Sequence, residues 1–89
     1  MDRNATILVV EDDAETRSAL CEYLMTSGYR VRTAGSGAEG LAALQAGNDV
    51  DAVLLDLVMP DTDGFELLRR YREGQGRAAV VVFHRSARW

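Results

Sequence analysis

No lysine occurs anywhere in this chain of 89 residues; its ten basic residues are all arginines. They are scattered and outnumbered by fourteen acids, which leaves a formal net charge of -4. Nucleic-acid binders hold phosphate backbones with clustered Lys and Arg, so this balance argues against that class. Cys21 is the single cysteine, which excludes an intramolecular disulfide framework and a cysteine zinc site. Beside Leu20 in an amphipathic run, it reads as a small buried helix residue rather than a reactive thiol. The single histidine, His84, excludes a multi-histidine metal site. Long apolar runs are missing too. None approaches membrane-spanning length, so no membrane partner is expected. The early run Ile7 to Val10 is too short for a signal peptide and is followed by acids. The sequon Asn4-Ala5-Thr6 is then a chance match, and a reducing cytoplasm is the expected compartment.

What is present fits one small domain spanning residues 1–89. Ile7-Leu8-Val9-Val10 is a continuous β-rich apolar run, the pattern of a strand covered on both faces of a parallel sheet. Asp12 or Asp13 then offers an N-cap. Ala14 to Ser27 carries Ala19, Leu20, Tyr23 and Leu24 at helical spacing, with Gly28 as the stop. Tyr29 to Thr33 alternates with period two, predicting a strand with one wetter face. After a turn at Gly35-Ser36-Gly37, Ser36 and Glu39 form a capping box for a short helix through Leu41 and Leu44, ending at Gly47. Val50 to Leu57 predicts a third strand, and Met59 to Gly64 a loop. Phe65, Leu67, Leu68 and Tyr71 predict a third helix that Gly74 and Gly76 terminate. Ala79-Val80-Val81-Val82-Phe83 predicts a fourth buried strand. Strands alternating with short helices specify an α/β fold, a parallel sheet with helices on both faces. Ligands of such sheets bind beyond the carboxyl ends of the strands.

Acids stand at those ends. Glu11 and Asp12 follow the first strand, and Asp56 lies near the end of the third; if those strands are neighbours, the three side chains converge. Carboxylates held that close shift one another's pKa unless a cation neutralises them. An all-oxygen site suits Mg²⁺, which would also screen an incoming phosphate. Asp13, Asp61 and Asp63 read more simply as helix caps or solvated loop acids. Asp56 does not, because an acid among Val53, Leu54, Leu55, Leu57 and Val58 is costly to bury without a partner or a task.

Two stretches taken together, Ile7-Leu8-Val9-Val10-Glu11-Asp12-Asp13 and Leu54-Leu55-Asp56-Leu57-Val58-Met59-Pro60-Asp61-Thr62-Asp63-Gly64, resemble the receiver domain of bacterial two-component response regulators. The resemblance runs from about Ile7 to Phe83, leaving 84–89 as a tail. It implies a flavodoxin-like fold and a signalling module rather than an enzyme. Asp56 would accept a phosphoryl group, and Glu11, Asp12, Asp56 and the backbone carbonyl of Val58 would hold Mg²⁺. Pro60 and Gly64 would shape the following loop. The implied donor is a sensor histidine kinase or phosphotransfer protein, docking on the first helix.

The chain also departs from the family pattern. A receiver continues with a fourth helix, a fifth strand and a fifth helix, and six residues after Phe83 cannot supply them. The family's lysine, which pairs with the phosphorylated aspartate, is absent; Arg85 differs from it in shape and hydration. For the family's switch residue, Ser86 fits by type while His84 stands closer by position. A fourth strand left as an apolar edge implies self-association through that edge. Two functions therefore stand side by side: a phosphoacceptor receiver, and a receiver remnant that docks or dimerises without phosphotransfer. Other readings fail on residues. A haloacid-dehalogenase-like phosphatase needs an acid where Val58 stands. An EF-hand register puts Met59 and Arg70 at ligand positions, and no glycine-rich phosphate loop with lysine exists.

Overall fold

A computed structural model of the chain describes residues 4–47, 49–56, 64–74, 76 and 78–83. Val58, Pro60, Asp61, Asp63, His84, Arg85 and Ser86, to which the sequence attached roles, lie outside the described residues. The elements run β1 (Thr6–Val10), α1 (Ala14–Thr26), β2 (Arg30–Ala34), α2 (Gly37–Ala46), β3 (Ala52–Asp56), α3 (Gly64–Glu73) and β4 (Ala79–Phe83). The strands form one parallel sheet in the order β2-β1-β3-β4. The expected α/β architecture is present, with helices on both faces.

Strand alternation divides the core into two layers. Leu8, Val10, Val53 and Leu55 point to one face, where Leu44 of α2 and Leu67 of α3 close over them. Ile7, Val9 and Ala52 point to the other, packed by Leu20 and Leu24 of α1. β1 is buried at all five positions, which explains why it reads as an unbroken apolar run. Gly40 lets α2 settle onto this sheet: a Cβ there would stand 2.9 Å from Val10 Cγ2 and 3.0 Å from Leu67 Cδ1.

The helix boundaries follow the sequence signals closely. Asp13 is the N-cap of α1, its Oδ2 accepting from the Thr16 N–H at 2.9 Å and from Thr16 Oγ1 at 2.7 Å. Gly28 leaves the helix at φ 99, a conformation that suits glycine. Ser36 caps α2 through the Glu39 N–H at 3.1 Å. The return bond of that capping box is displaced by one residue: Glu39 Oε1 accepts from the Gly35 N–H at 2.9 Å.

Four expectations need correction. Tyr23 and Ala19 do not enter the core, and Tyr23 is 70% exposed. α1 lies over β1 and β2 and touches them with a narrow stripe at Leu20 and Leu24, so no residue of this helix is fully buried. Cys21 is half-buried for the same reason, its Sγ donating to Met25 Sδ at 3.6 Å. β4 is not covered on both faces as its apolar run suggests; among the described residues it is the apolar edge of the sheet that the sequence also anticipates, with Ala79 exposed and Val81 55% exposed, because α1 covers the opposite side of that face. β3 is shorter at its start than Val50 predicts. Asp51 instead ties the strand's entrance to β1, its Oδ2 accepting from the Thr6 N–H at 2.8 Å and its N–H donating to the Thr6 carbonyl at 2.8 Å.

Candidate metal and phosphoryl site

The site is built by two strand ends. β1 and β3 are adjacent and parallel, with Val10 opposite Leu55. The residue after Val10 is Glu11 and the residue after Leu55 is Asp56, so the register carries both carboxylates to the same edge. Asp12, half-buried, adds the third. One carboxylate oxygen from each of Glu11, Asp12 and Asp56 lies within 4.8 Å of the others, as the sequence pattern anticipates. Glu11 and Asp56 are both fully buried.

This placement is electrostatically expensive. Burial pushes the Glu11 carboxyl up to about 7, and the nearby Asp12 and Asp56 carboxyls add to the rise. The Asp13 N–H works against it by donating to Glu11 Oε2 at 2.9 Å. Asp13 thus serves twice without joining the cluster: its side chain caps α1 and its amide steadies Glu11.

Donor chemistry and spacing suit a small divalent cation. Oxygens around Mg²⁺ sit at ~2.1 Å from the ion, hence ~3 Å apart in cis and ~4 Å in trans. A trio spread over 4.8 Å reaches that geometry by a small contraction. Such an ion would offset the cost of burying the Glu11 charge, relieve its repulsion with the neighbouring carboxylates, and screen a phosphate approaching Asp56.

Sequence reasoning missed one neighbour of this site. Arg17 Nη1 donates to the main-chain carbonyl oxygen of Glu11 at 2.9 Å. The usable signal is that the first turn of the helix begins three residues after Glu11, which brings a long side chain at position 17 back over the strand end.

Residues 7–87 match the family model of the response regulator receiver domain, and the chain belongs to that family. It is 43% identical over 81 residues to the transcriptional regulatory protein AfsQ1 of Streptomyces coelicolor, covering 91% of this chain and 36% of that protein. With the TorCAD operon transcriptional regulatory protein TorR of Escherichia coli K12 the identity is 38% over 82 residues, covering 92% and 35%. The chain therefore spans about a third of the length of these curated relatives. Among solved structures, response regulator TrrA of Thermotoga maritima in complex with Mg²⁺-BeF superposes with a TM-score of 0.85 at 34% identity, over 93% of this chain and 71% of that one. The complex of histidine kinase ThkA with TrrA gives 0.84 at 33% identity, over 96% and 72%. The parallel sheet with helices on both faces is thus the CheY-like, flavodoxin-like fold of receivers. The chain is a receiver module of two-component signalling. Among the described residues no helix is long and apolar enough to cross a membrane.

Proposed function

We propose that this receiver accepts a phosphoryl group on Asp56 from a phosphohistidine of a sensor kinase or phosphotransfer protein in the cytoplasm, with Mg²⁺ held by Glu11, Asp12 and Asp56. In the transfer, an Asp56 carboxylate oxygen forms the new O–P bond as the N–P bond breaks, and the electron pair returns to the imidazole nitrogen. The metal, when bound, supplies charge neutralisation of the phosphate and of the clustered carboxylates. Val58 is assigned to the metal through its carbonyl, Pro60 and Gly64 to shaping the adjoining loop, and Ser86 or the position of His84 to the switch. The observation that carries this reading is the convergence of Glu11, Asp12 and Asp56 oxygens within 4.8 Å at the carboxyl edge of a parallel sheet. Support comes also from a relative of the same fold: response regulator TrrA is known in complex with Mg²⁺-BeF and in complex with the histidine kinase ThkA.

The test is incubation with Mg²⁺ and acetyl phosphate followed by intact-mass measurement. A single phosphoryl increment that chelation abolishes supports the reading. An unchanged mass at saturating donor defeats it.

A second role rests on β4. This edge strand, Ala79-Val80-Val81-Val82-Phe83, carries no charge, and its Val81 is 55% exposed. The opposite edge, β2, carries Arg30 and Arg32, the kind of residue that discourages strand pairing. The apolar strand is also close to self-complementary about Val81, so the occupant that fits it best is β4 of a second copy, paired antiparallel. Light scattering of the 89-residue chain is expected to show a concentration-dependent dimer that Val81→Lys converts to monomer. A monodisperse monomer at high concentration overturns this role and leaves phosphotransfer untouched.

A further inference from the structure

The peptide that joins the first two acids is held by a residue outside the cluster. Arg17 lies in the first turn of α1, and its Nη1 donates to the Glu11 carbonyl oxygen at 2.9 Å. That oxygen belongs to the planar unit linking Glu11 to Asp12, so fixing it also fixes the direction of the Asp12 N–H and the start of Asp12's own backbone. Two further bonds complete the hold. The Glu11 N–H donates to the Ala34 carbonyl at 3.1 Å, and Glu11 Oε2 accepts from the Asp13 N–H at 2.9 Å. The guanidinium also lies against the turn between β2 and α2, where a Cβ on Gly35 would stand 3.2 Å from Nη1. One side chain therefore spans the end of β1, the start of α1 and the turn after β2.

We propose that Arg17 is a positioning residue for the metal site, locking the Glu11–Asp12 peptide so that both carboxylates face the same ion. The inference rests on the metal assignment above and goes beyond it, because Arg17 itself offers no metal ligand. Its charge and its geometry act in opposite directions. A cation close to a metal site repels the metal, so on charge alone its removal tightens Mg²⁺ binding. Loss of an outer residue that orients ligands weakens metal binding, typically by about tenfold or more. The sign of the change therefore separates the two.

The experiment is a Mg²⁺ titration of the wild type, Arg17→Met and Arg17→Lys, at a temperature where thermal melts show each to be folded. Amide exchange at Asp12 is followed in the metal-free proteins alongside. Arg17→Met keeps the apolar stem and removes donor and charge. It is expected to bind Mg²⁺ about tenfold more weakly and to exchange the Asp12 amide faster. Arg17→Lys retains a donor without the planar fork and should fall between the two. Mg²⁺ binding by Arg17→Met as tight as wild type, or tighter, overturns the proposal. Should that variant fail to fold, Arg17→Gln, whose amide is too short to reach the carbonyl, is judged by the same two readouts. Failure of the underlying metal assignment looks different: the wild type itself shows no saturable Mg²⁺ binding, and the role of Arg17 falls with it.

Discussion

Val10 and Leu55 stand opposite each other on neighbouring parallel strands, and each is followed directly by an acid. That single register sets the chemistry of the domain. It buries Glu11 beside Asp56 at the sheet edge and leaves Asp12 half-buried at the mouth. A slip by one residue would turn one of the two carboxylates to the other face and dissolve the cluster.

The metal-free domain should lose stability as pH rises. The Glu11 pKa is raised by burial from 4.5 to about 7, so between those values the folded state binds more protons than the unfolded chain. The stability this group contributes is therefore full below about pH 4.5, is lost as the pH rises from there to about 7, and is level above that. Thermal melts from pH 5 to pH 8 in chelator are expected to show a falling Tm. Saturating Mg²⁺ should flatten the upper part of this profile, because the ion favours the ionised carboxyl.

Glu11→Gln separates folding from metal binding. The amide removes a charge whose burial is costly, so the metal-free variant should be more stable than wild type at pH 8 by about 1–3 kcal/mol, at about 1.4 kcal/mol per pKa unit. The same change removes an anionic ligand and should weaken Mg²⁺ binding by at least about tenfold. Denaturant melts with and without Mg²⁺ read both effects.

Asp13 gives a contrasting acid. It caps α1 through Thr16 and lies outside the acidic trio of Glu11, Asp12 and Asp56. Asp13→Ala is expected to cost about 1 kcal/mol in denaturant unfolding, while its amide still donates to Glu11 Oε2. Mg²⁺ affinity should change by less than about threefold, a small fraction of the tenfold or more expected for an orienting side chain.

Gly40 tests the packing that carries the strands. A side chain there meets Val10 Cγ2 and Leu67 Cδ1 at once. Gly40→Val should destabilise the domain by about 1–3 kcal/mol by forcing α2 off the sheet. Unaltered unfolding in urea would show that α2 has more room than its contacts with Val10 and Leu67 allow.

Much of this was legible in residues alone, for identifiable reasons. Ile7 to Val10 reads as an interior strand because both of its faces are covered, which needs no knowledge of the partners. Gly28, Ser36 and Asp13 carry local backbone signals that act within a few residues. The convergence of Glu11, Asp12 and Asp56 was legible because they stand at the ends of two apolar runs read as parallel strands, and the cost of burying a lone acid singled out Asp56. The exposure of Tyr23 was not legible, since it depends on where α1 lies over the sheet, which is a matter of tertiary packing, whereas the apolar edge at Val81 was anticipated. Arg17 was legible only in part: its spacing from Glu11 places a long side chain over the strand end, but the contact itself depends on the angle at which α1 leaves β1. The capping box showed a partial success, with Ser36 as expected and Glu39 turned to Gly35.

Whether Asp56 is the phosphoryl acceptor is decided by mapping the phosphoryl group. After reaction with acetyl phosphate and Mg²⁺, one hydroxylamine-labile phosphoryl group is expected on the peptide containing Asp56, absent in Asp56→Asn and absent with chelator. A group that resists hydroxylamine, maps to another residue or persists in Asp56→Asn would contradict that assignment.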